Sequence, residues 1–249
     1  MMRSIATLVF RFLLAVAGLC AATAASADDW AAPGRAAFVS SNGQFRLTVT
    51  PNRALAQFYF EGTGSAPAPG GSAQGRLEQR GPDGRWVVRW QGRLVNEVAP
   101  VDAVVADSGR YFATFDDWGG LGTGPNVVDI YDGAGRTIRA LSIHDLLPQD
   151  YVDALPRSAS SINWRRGLPR IAVGDGQLLI DVGIPPFMDS LFPESSFELA
   201  IDITTGIARR SGPAWDGAMA AATTARVAAE QRRSAWIAFM TEPLVAPVT

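Results

Sequence analysis

The sequence predicts an all-β fold: antiparallel meanders that are propeller-like (incomplete or small) or form a β-sandwich, followed by a C-terminal α-helix. Three observations support this fold class. Short runs of β-branched and aromatic residues are separated by turns that contain Gly with Asn, Asp or Thr. Residues 197–203 place large apolar side chains at every second position, with Glu198, Ala200 and Asp202 between them, which is typical of a half-buried strand. Residues 217–240 are rich in Ala, Arg, Glu and Gln, which favour a helix.

Six turn sequences divide the β-rich part of the chain. They are Asn42-Gly43, Asp83-Gly84, Asp107-Ser108-Gly109, Asp132-Gly133-Ala134-Gly135, Asp175-Gly176 and Thr204-Thr205-Gly206. Glycine supplies the positive φ that tight hairpin turns require. The turns recur roughly every 25 to 40 residues, which predicts about three units of blade size, whereas closed propellers have at least about four blades.

Two helices and one loop interrupt the β pattern. Residues 148–155 begin with a proline and are followed by Pro156, which predicts one or two helical turns. Asp216 is the predicted N-cap of the long helix 217–240. Residues 62–75 are almost entirely Gly, Ser, Ala and Pro, and they predict a flexible surface loop.

The first 27 residues have the order of a secretory signal peptide. Arg3 and Arg11 supply positive charge, residues 8–20 are mostly apolar, and a small-residue run ends at Ala27. The apolar part is shorter than the roughly 20 residues of a membrane span. We therefore expect cleavage near Ala27, a periplasmic or secreted product without a membrane span, and a single β-rich domain over residues 28–249.

Composition excludes several classes of chemistry. Removal of Arg3 and Arg11 from the 22 basic residues leaves 20 against 24 acidic residues, a net charge of −4, which argues against nucleic acid as a partner. The chain has no lysine, its one cysteine, Cys20, lies in the leader, and His144 is its only histidine. Lysine and thiol nucleophiles and multi-histidine zinc sites are therefore absent from the mature chain, and we expect no cofactor. A Ser-His-Asp triad would require His144, whose surroundings favour a structural role.

The first candidate site is Asp116-Asp117-Trp118, at the start of a loop with four glycines that ends at Gly124. One interpretation is ligand binding, either of calcium by the two carboxylates and backbone carbonyls or of a sugar on Trp118. The spacing matches no EF-hand loop. The sequence does not decide whether this segment binds a metal ion. The other interpretation is a wide hairpin connection whose aspartates cap exposed amides.

The second candidate site contains three arginines and several hydroxyls. Arg157, Arg165 and Arg166 flank a serine-rich segment that suits an anionic ligand, although ordinary loop composition explains it equally well. A glycosidase would instead need two carboxylates facing each other across roughly 5 to 10 Å. The pairing of Asp116 or Asp117 with Asp129 or Asp132 is the least arbitrary choice for such a pair.

Residues 107–164 contain a strand ending in T-F-D, a W-G-G-L-G loop, a V-V-x-I-Y-D strand and a D-L-L-P helix start. In this wording they resemble a set of uncharacterised exported bacterial proteins with propeller-blade-like β repeats. It covers about a quarter of the chain and implies no known activity.

Three functional hypotheses follow. The first is a non-enzymatic binding or structural module of the bacterial cell envelope, with a protein or polysaccharide partner. The alternative is a carboxylate-based, glycosidase-like hydrolase that acts on envelope polysaccharide. The third is an assembly partner that uses its C-terminal helix as the contact. The scarcity of catalytic residue types favours a function other than catalysis.

Overall fold

The computed structural model describes residues 30–63, 70–186, 190 and 192–241. Within them, twelve strands form three antiparallel sheets of four strands each, and a long helix follows the last sheet. This confirms the predicted all-β fold class with its C-terminal helix, while propeller-like closure stays a prediction. The predicted signal peptide lies outside the described residues. No helix in the described ranges is both long enough and apolar enough to cross a membrane.

Each sheet is a meander in which consecutive strands are neighbours. The first sheet contains β1 (Ala36–Val39), β2 (Phe45–Thr50), β3 (Gln74–Arg80) and β4 (Trp86–Arg93). The second contains β5 (Pro100–Val105), β6 (Tyr111–Asp117), β7 (Val128–Asp132) and β8 (Thr137–Leu141). The third contains β9 (Arg165–Ile171), β10 (Gln177–Ile184), β11 (Ser195–Asp202) and β12 (Ile207–Ala208). The three sheets match the three predicted units.

The six predicted turns each join two antiparallel neighbours of one sheet. In five of them a glycine has a positive φ, namely Gly43, Gly84, Gly109, Gly135 and Gly206. In the β9–β10 turn, Gly174 and Asp175 adopt positive φ instead. Local turn chemistry therefore accounts for most of the hairpin pattern.

Four α-helices complete the described chain. They are α1 (Arg53–Ala56), which continues as a π-helical segment (Gln57–Glu61), α2 (Ile143–Leu146), α3 (Gln149–Ala154) and α4 (Pro213–Thr241). Helix α3 confirms the predicted short helix. The predicted start of the long helix at Gly217 is wrong, because α4 begins at Pro213 and Asp216 lies inside its first turn. Proline suits the first helical position, since its φ is already helical and its missing N–H has no partner there.

The predicted flexible loop 62–75 extends too far toward the C-terminus. Gln74 and Gly75 already belong to β3, and Ala73 is fully buried. A Cβ at Gly75 would lie only 2.9 Å from side-chain atoms of Trp90 and Leu94. The small residues at this end therefore serve close packing rather than chain mobility. Residues 64–69 of the loop lie outside the described residues.

Two apolar clusters place the second sheet between the other two. The smaller cluster joins the first and second sheets, where the rings of Phe112 and Tyr131 stack with centroids 4.7 Å apart. The larger cluster joins the second and third sheets to α2, α3 and the first half of α4. Strand β5 contacts β1, β2 and β9, so the side of the second sheet that carries β5 meets both neighbouring sheets.

A pair of turn glycines tests the packing between hairpins. Gly135 has a φ of 75° and a Cβ there would overlap the indole ring of Trp90, whereas Gly84 has a φ of 77° and open space around it. We expect Gly135→Ala to lower the free energy of unfolding by roughly 2 to 4 kcal/mol, because overpacking adds to backbone strain. Gly84→Ala, the control, should cost only about 1 kcal/mol. Equal losses in urea denaturation would contradict this assignment.

Candidate functional site

The Asp116 carboxylate is a buried node between the two candidate segments. Asp116 is fully inaccessible to solvent and has a φ of 55°, unusual for a residue other than glycine. Its Oδ1 accepts hydrogen bonds from the Gly122 amide at 2.7 Å and from Trp164 Nε1 at 3.0 Å. Its Oδ2 lies 3.3 Å from Nε of Arg165, which donates to it. The glycine-loop candidate and the arginine candidate therefore meet at this carboxylate.

Arg165 extends the node into an ionic triad. Its side chain is only 13% exposed, and its Nη1 lies 3.4 Å from Asp102 Oδ2. The guanidinium carbon also lies 5.5 Å from the ring centroid of Phe115. Burial raises the pKa of Asp116, and the charge of Arg165 opposes that rise. The triad ties β5, β6 and β9 together, so Arg165 has a structural role in this arrangement.

The Asp117 carboxylate holds the segment between β4 and β5. Its oxygens accept hydrogen bonds from four backbone amides, those of Glu97, Val98, Ala99 and Trp118, at 2.7 to 3.2 Å. Burial raises the pKa of Asp117, and these four hydrogen bonds work in the opposite direction. This matches the amide-capping interpretation of the aspartates.

The glycine loop (residues 118–124) is docked rather than free. Ile162 donates its amide to the Leu121 carbonyl at 2.8 Å, and the Leu121 amide donates to Ser161 Oγ at 3.2 Å. Trp118 packs edge-to-face on Trp30, with centroids 5.4 Å apart, and donates from Nε1 to the Ala31 carbonyl. The loop is therefore anchored at both its tryptophan and its middle.

The three candidate arginines do not form one anion site. Arg157 donates to the Val152 carbonyl at 2.9 Å and contacts Asp153 Oδ1 at 3.5 Å, so its side chain lies against α3. Arg165 lies in the triad, whereas Arg166 is exposed on β9. Adjacent residues of a strand point to opposite faces, which separates Arg165 from Arg166.

The described residues form neither a metal site nor a Ser-His-Asp triad. No group of three or more His, Cys, Asp or Glu residues there could hold a metal ion. The oxygens of Asp116 and Asp117 are already occupied by N–H donors, which would have to leave before a cation could bind. His144 is exposed on α2, and within the described residues its side chain forms no hydrogen bond or ion pair.

A second polar network crosses the interior of the second sheet. Thr114 on β6 faces Asp129 on β7, and both are fully buried. Thr114 Oγ1 lies 2.9 Å from Asn96 Oδ1 and 3.4 Å from Asp129 Oδ2, while Asn96 Nδ2 donates to the Asp116 carbonyl. The hydroxyl of Thr114 has one proton, so it can donate to only one of these two acceptors.

With a proton on Asp129, the Thr114 hydroxyl can form hydrogen bonds with both Asn96 and Asp129. Burial raises the pKa of Asp129 to about 8, and the nearby charges of Asp117 and Asp116 add to the rise. A protonated Asp129 would donate to Thr114 Oγ1, which would leave the Thr114 proton for Asn96 Oδ1. The other oxygen of Asp129, Oδ1, has no hydrogen-bond partner, which further favours the uncharged form. The network thus connects β7 to the segment between β4 and β5, which Asp117 also holds.

The positions of these aspartates bear on the predicted glycosidase pair, Asp116 or Asp117 with Asp129 or Asp132. Asp116, Asp117 and Asp129 do come close enough to interact electrostatically, but Asp116 and Asp129 are fully buried. Asp132 lies on the β7–β8 turn, where it binds the amides of Ala134 and Arg136. General acids and nucleophiles must reach the substrate. Asp116 and Asp129 therefore have no access to a substrate in this conformation, and the oxygens of the partly exposed Asp132 are occupied by the turn amides and the Arg136 side chain.

A surface cleft of about 540 Å³, here called the Trp118 cleft, lies next to these networks. Its aromatic lining comes from Tyr59, Phe60 and Trp118, and Tyr59 is 60% exposed. Glu97, Thr123 and Asn126 add polar groups. The remaining lining residues are Val98, Asp117, Pro125 and the three glycines at 119, 120 and 124. Tyr59 and Phe60 escaped the sequence analysis because the α1 and π-helical segment was not predicted, although the Phe58-Tyr59-Phe60 run was a usable signal.

No family model matches the chain, and no curated protein matches it. The resemblance to exported bacterial proteins therefore stays a prediction.

The Asp129 proton makes stability depend on pH. The pKa of an unfolded aspartate is about 4. Between about pH 4 and pH 8 the folded chain binds a proton at Asp129 that the unfolded chain has lost, so the free energy of unfolding falls by about 1.4 kcal/mol per pH unit from this group. Its contribution is complete below about pH 4 and lost above about pH 8. We expect Asp129→Asn to flatten the stability profile across this window, measured by urea denaturation.

The matched control is Asp150→Asn, at an exposed position on α3. It should keep the wild-type slope. If Asp129→Asn keeps that slope too, Asp129 is ionised in the folded chain and the proposed hydrogen-bond order is wrong.

Removal of the Asp116 carboxylate should be severe. Asp116→Ala leaves the Trp164 indole N–H and the Gly122 amide without their acceptor, and it removes one of the two carboxylates that Arg165 pairs with. We expect a loss of roughly 3 to 5 kcal/mol in the free energy of unfolding, as for other broken buried ion pairs. Arg166→Ala, at an exposed position, should change it by no more than about 0.5 kcal/mol. A small effect of Asp116→Ala would mean that the node is not structural.

Proposed function

We propose that this chain is an exported, non-enzymatic binding module of the bacterial cell envelope, and that the Trp118 cleft binds a polysaccharide. The observation that carries the proposal is the composition of the cleft, where exposed aromatic surface, the polar side chains of Glu97, Thr123 and Asn126, and glycine backbone converge. The leader-like N-terminus and the cysteine-free mature chain support the extracytoplasmic setting.

The cleft suits a sugar chain for three physical reasons. Tyr59 and Trp118 offer apolar ring surface to the C–H faces of sugar rings. Glu97 and Asn126 offer hydrogen-bonding groups for hydroxyls. Glycines at 119, 120 and 124 have no side chains to keep a ligand away from the backbone.

The surroundings of the cleft favour binding over catalysis. Asp117 lines the cleft, but its oxygens are occupied by four backbone amides. Of the acidic cleft residues, that leaves Glu97 as the exposed carboxylate. Hydrolysis of a glycosidic bond needs two carboxyl groups that both reach the substrate. Glu97 is better suited to orient a bound sugar than to cleave it.

A glycan microarray followed by calorimetry with the strongest soluble oligosaccharide tests the proposal. We expect binding without release of reducing ends. Tyr59→Ala and Glu97→Gln should each weaken binding by roughly fivefold to tenfold, since each removes one contact of about 1 kcal/mol. Phe192→Ala removes a comparably exposed aromatic residue that is not among the cleft-lining residues, and it should leave affinity unchanged.

Three results would overturn this function. They are the absence of any glycan ligand on the array, unchanged affinity in both cleft variants, and production of reducing ends by the wild-type chain. The last result would favour the hydrolase alternative.

A further inference from the structure

The charge of the Trp118 cleft limits the class of sugar that suits it. Glu97 is exposed, and its carboxylate accepts no hydrogen bond within the described part of the chain. The oxygens of Asp117, the other acidic lining residue, accept hydrogen bonds from four backbone amides. None of the described residues that line the cleft is an arginine or a histidine, and the chain has no lysine. The cleft therefore offers an accessible negative charge and no basic side chain for a negative ligand.

The aromatic lining of the cleft favours the same sign of ligand charge. Tyr59, Phe60 and Trp118 contribute their rings, and those of Tyr59 and Phe60 lie edge to face with centroids 6.5 Å apart. The face of an aromatic ring carries partial negative charge, so it attracts a cation and repels an anion. Aromatic rings and a carboxylate together suit an organic ammonium group.

The two aromatic walls of the cleft are in direct contact. Gly119 in the glycine loop has a φ of 104°, and a Cβ there would lie 3.0 Å from Cζ of Phe60. The π-helical segment that carries Tyr59 and Phe60 therefore packs closely on the loop that carries Trp118. Trp118 is also anchored to Trp30 and Ala31 on its other side. The rings are thus positioned before a ligand arrives, which reduces the entropy lost on binding.

An ammonium group suits this lining better than a metal ion or an anionic sugar does. Calcium takes roughly six to eight oxygen ligands, and one exposed carboxylate does not supply them. An anionic sugar, such as a uronic acid, would find no guanidinium to pair with among the described lining residues. A protonated amine on a sugar ring needs only one carboxylate, while the remainder of the ring can stack on the aromatic side chains.

We propose that the Trp118 cleft selects sugar chains that carry free amino groups, with Glu97 as the partner of the ammonium. This inference rests on the proposed glycan binding and narrows its ligand to an amino sugar. Stacking on the rings does not require a charge, whereas selection for the amine does. Glycan binding and the preference for a free amine can therefore be measured separately.

Calorimetry with three tetrasaccharides at about pH 6, where amines are protonated, tests the preference. The first is β-1,4-linked glucosamine, the second is the same chain with every amine acetylated, and the third is a uronic acid chain. We expect the glucosamine chain to bind roughly tenfold more tightly than the acetylated chain, because acetylation removes both the ion pair and the cation–π contact. The uronic acid chain should bind most weakly. An increase from about 50 mM to about 500 mM NaCl should shrink the preference severalfold, because salt screens exposed charges.

Two matched variants assign the preference to one carboxylate. Glu97→Gln should weaken binding of the glucosamine chain roughly fivefold and change binding of the acetylated chain by less than about twofold. Glu194→Gln makes the same chemical change at an exposed position that is not among the cleft-lining residues, and it should keep the full preference. Thermal melting of both variants establishes that they remain folded.

The possible results distinguish this inference from the function on which it rests. Equal affinity for the glucosamine and acetylated chains overturns the inference and leaves glycan binding intact. A preference that survives Glu97→Gln also overturns it, as does failure of the glucosamine chain to bind. If no glycan of any class binds, the proposed function fails and this inference fails with it.

Discussion

The structure depends on one buried carboxylate, that of Asp116, with its three donors. An ionised carboxylate removed from water costs several kcal/mol unless hydrogen bonds and an opposite charge replace the lost solvent. Gly122, Trp164 and Arg165 provide that replacement, and they come from the glycine loop and from the start of the third sheet. One side chain on β6 therefore sets the relative positions of the loop and the third sheet.

The same region prepares the cleft that we assign to ligand binding. Asp117 fixes the amides of residues 97–99, and the Asp129–Thr114 network reaches Asn96 in the same segment. Glu97, on the cleft wall, therefore lies in a segment whose backbone is held from two sides. A wall that is ordered before the ligand arrives reduces the conformational entropy lost on binding. Asp117, which lines the cleft, and the buried Asp129 thus order the wall of the cleft that we propose as the glycan site.

Sequence reasoning succeeded where structure is decided locally. The six turns, the alternation at 197–203 and the short helix after Pro148 depend on φ preferences and on periodicity over a few residues. It was wrong at the start of α4 and at the end of the 62–75 loop. At Gly75 the deciding factor is the indole of Trp90 on the adjacent strand, a contact that composition does not show.

The sequence by itself determined the class of the fold, the three strand groups, the Asp116-Asp117-Trp118 motif and the scarcity of catalytic residue types. Only the tertiary structure decided what those residues do. Asp116 and Arg165 are 49 positions apart in the chain, and their pairing depends on how the second and third sheets pack. The raised pKa of Asp129 depends on burial, and the Trp118 cleft needs Tyr59 from a distant helix. Desolvation and long-range contact are properties of the folded chain, and no short stretch of sequence contains them.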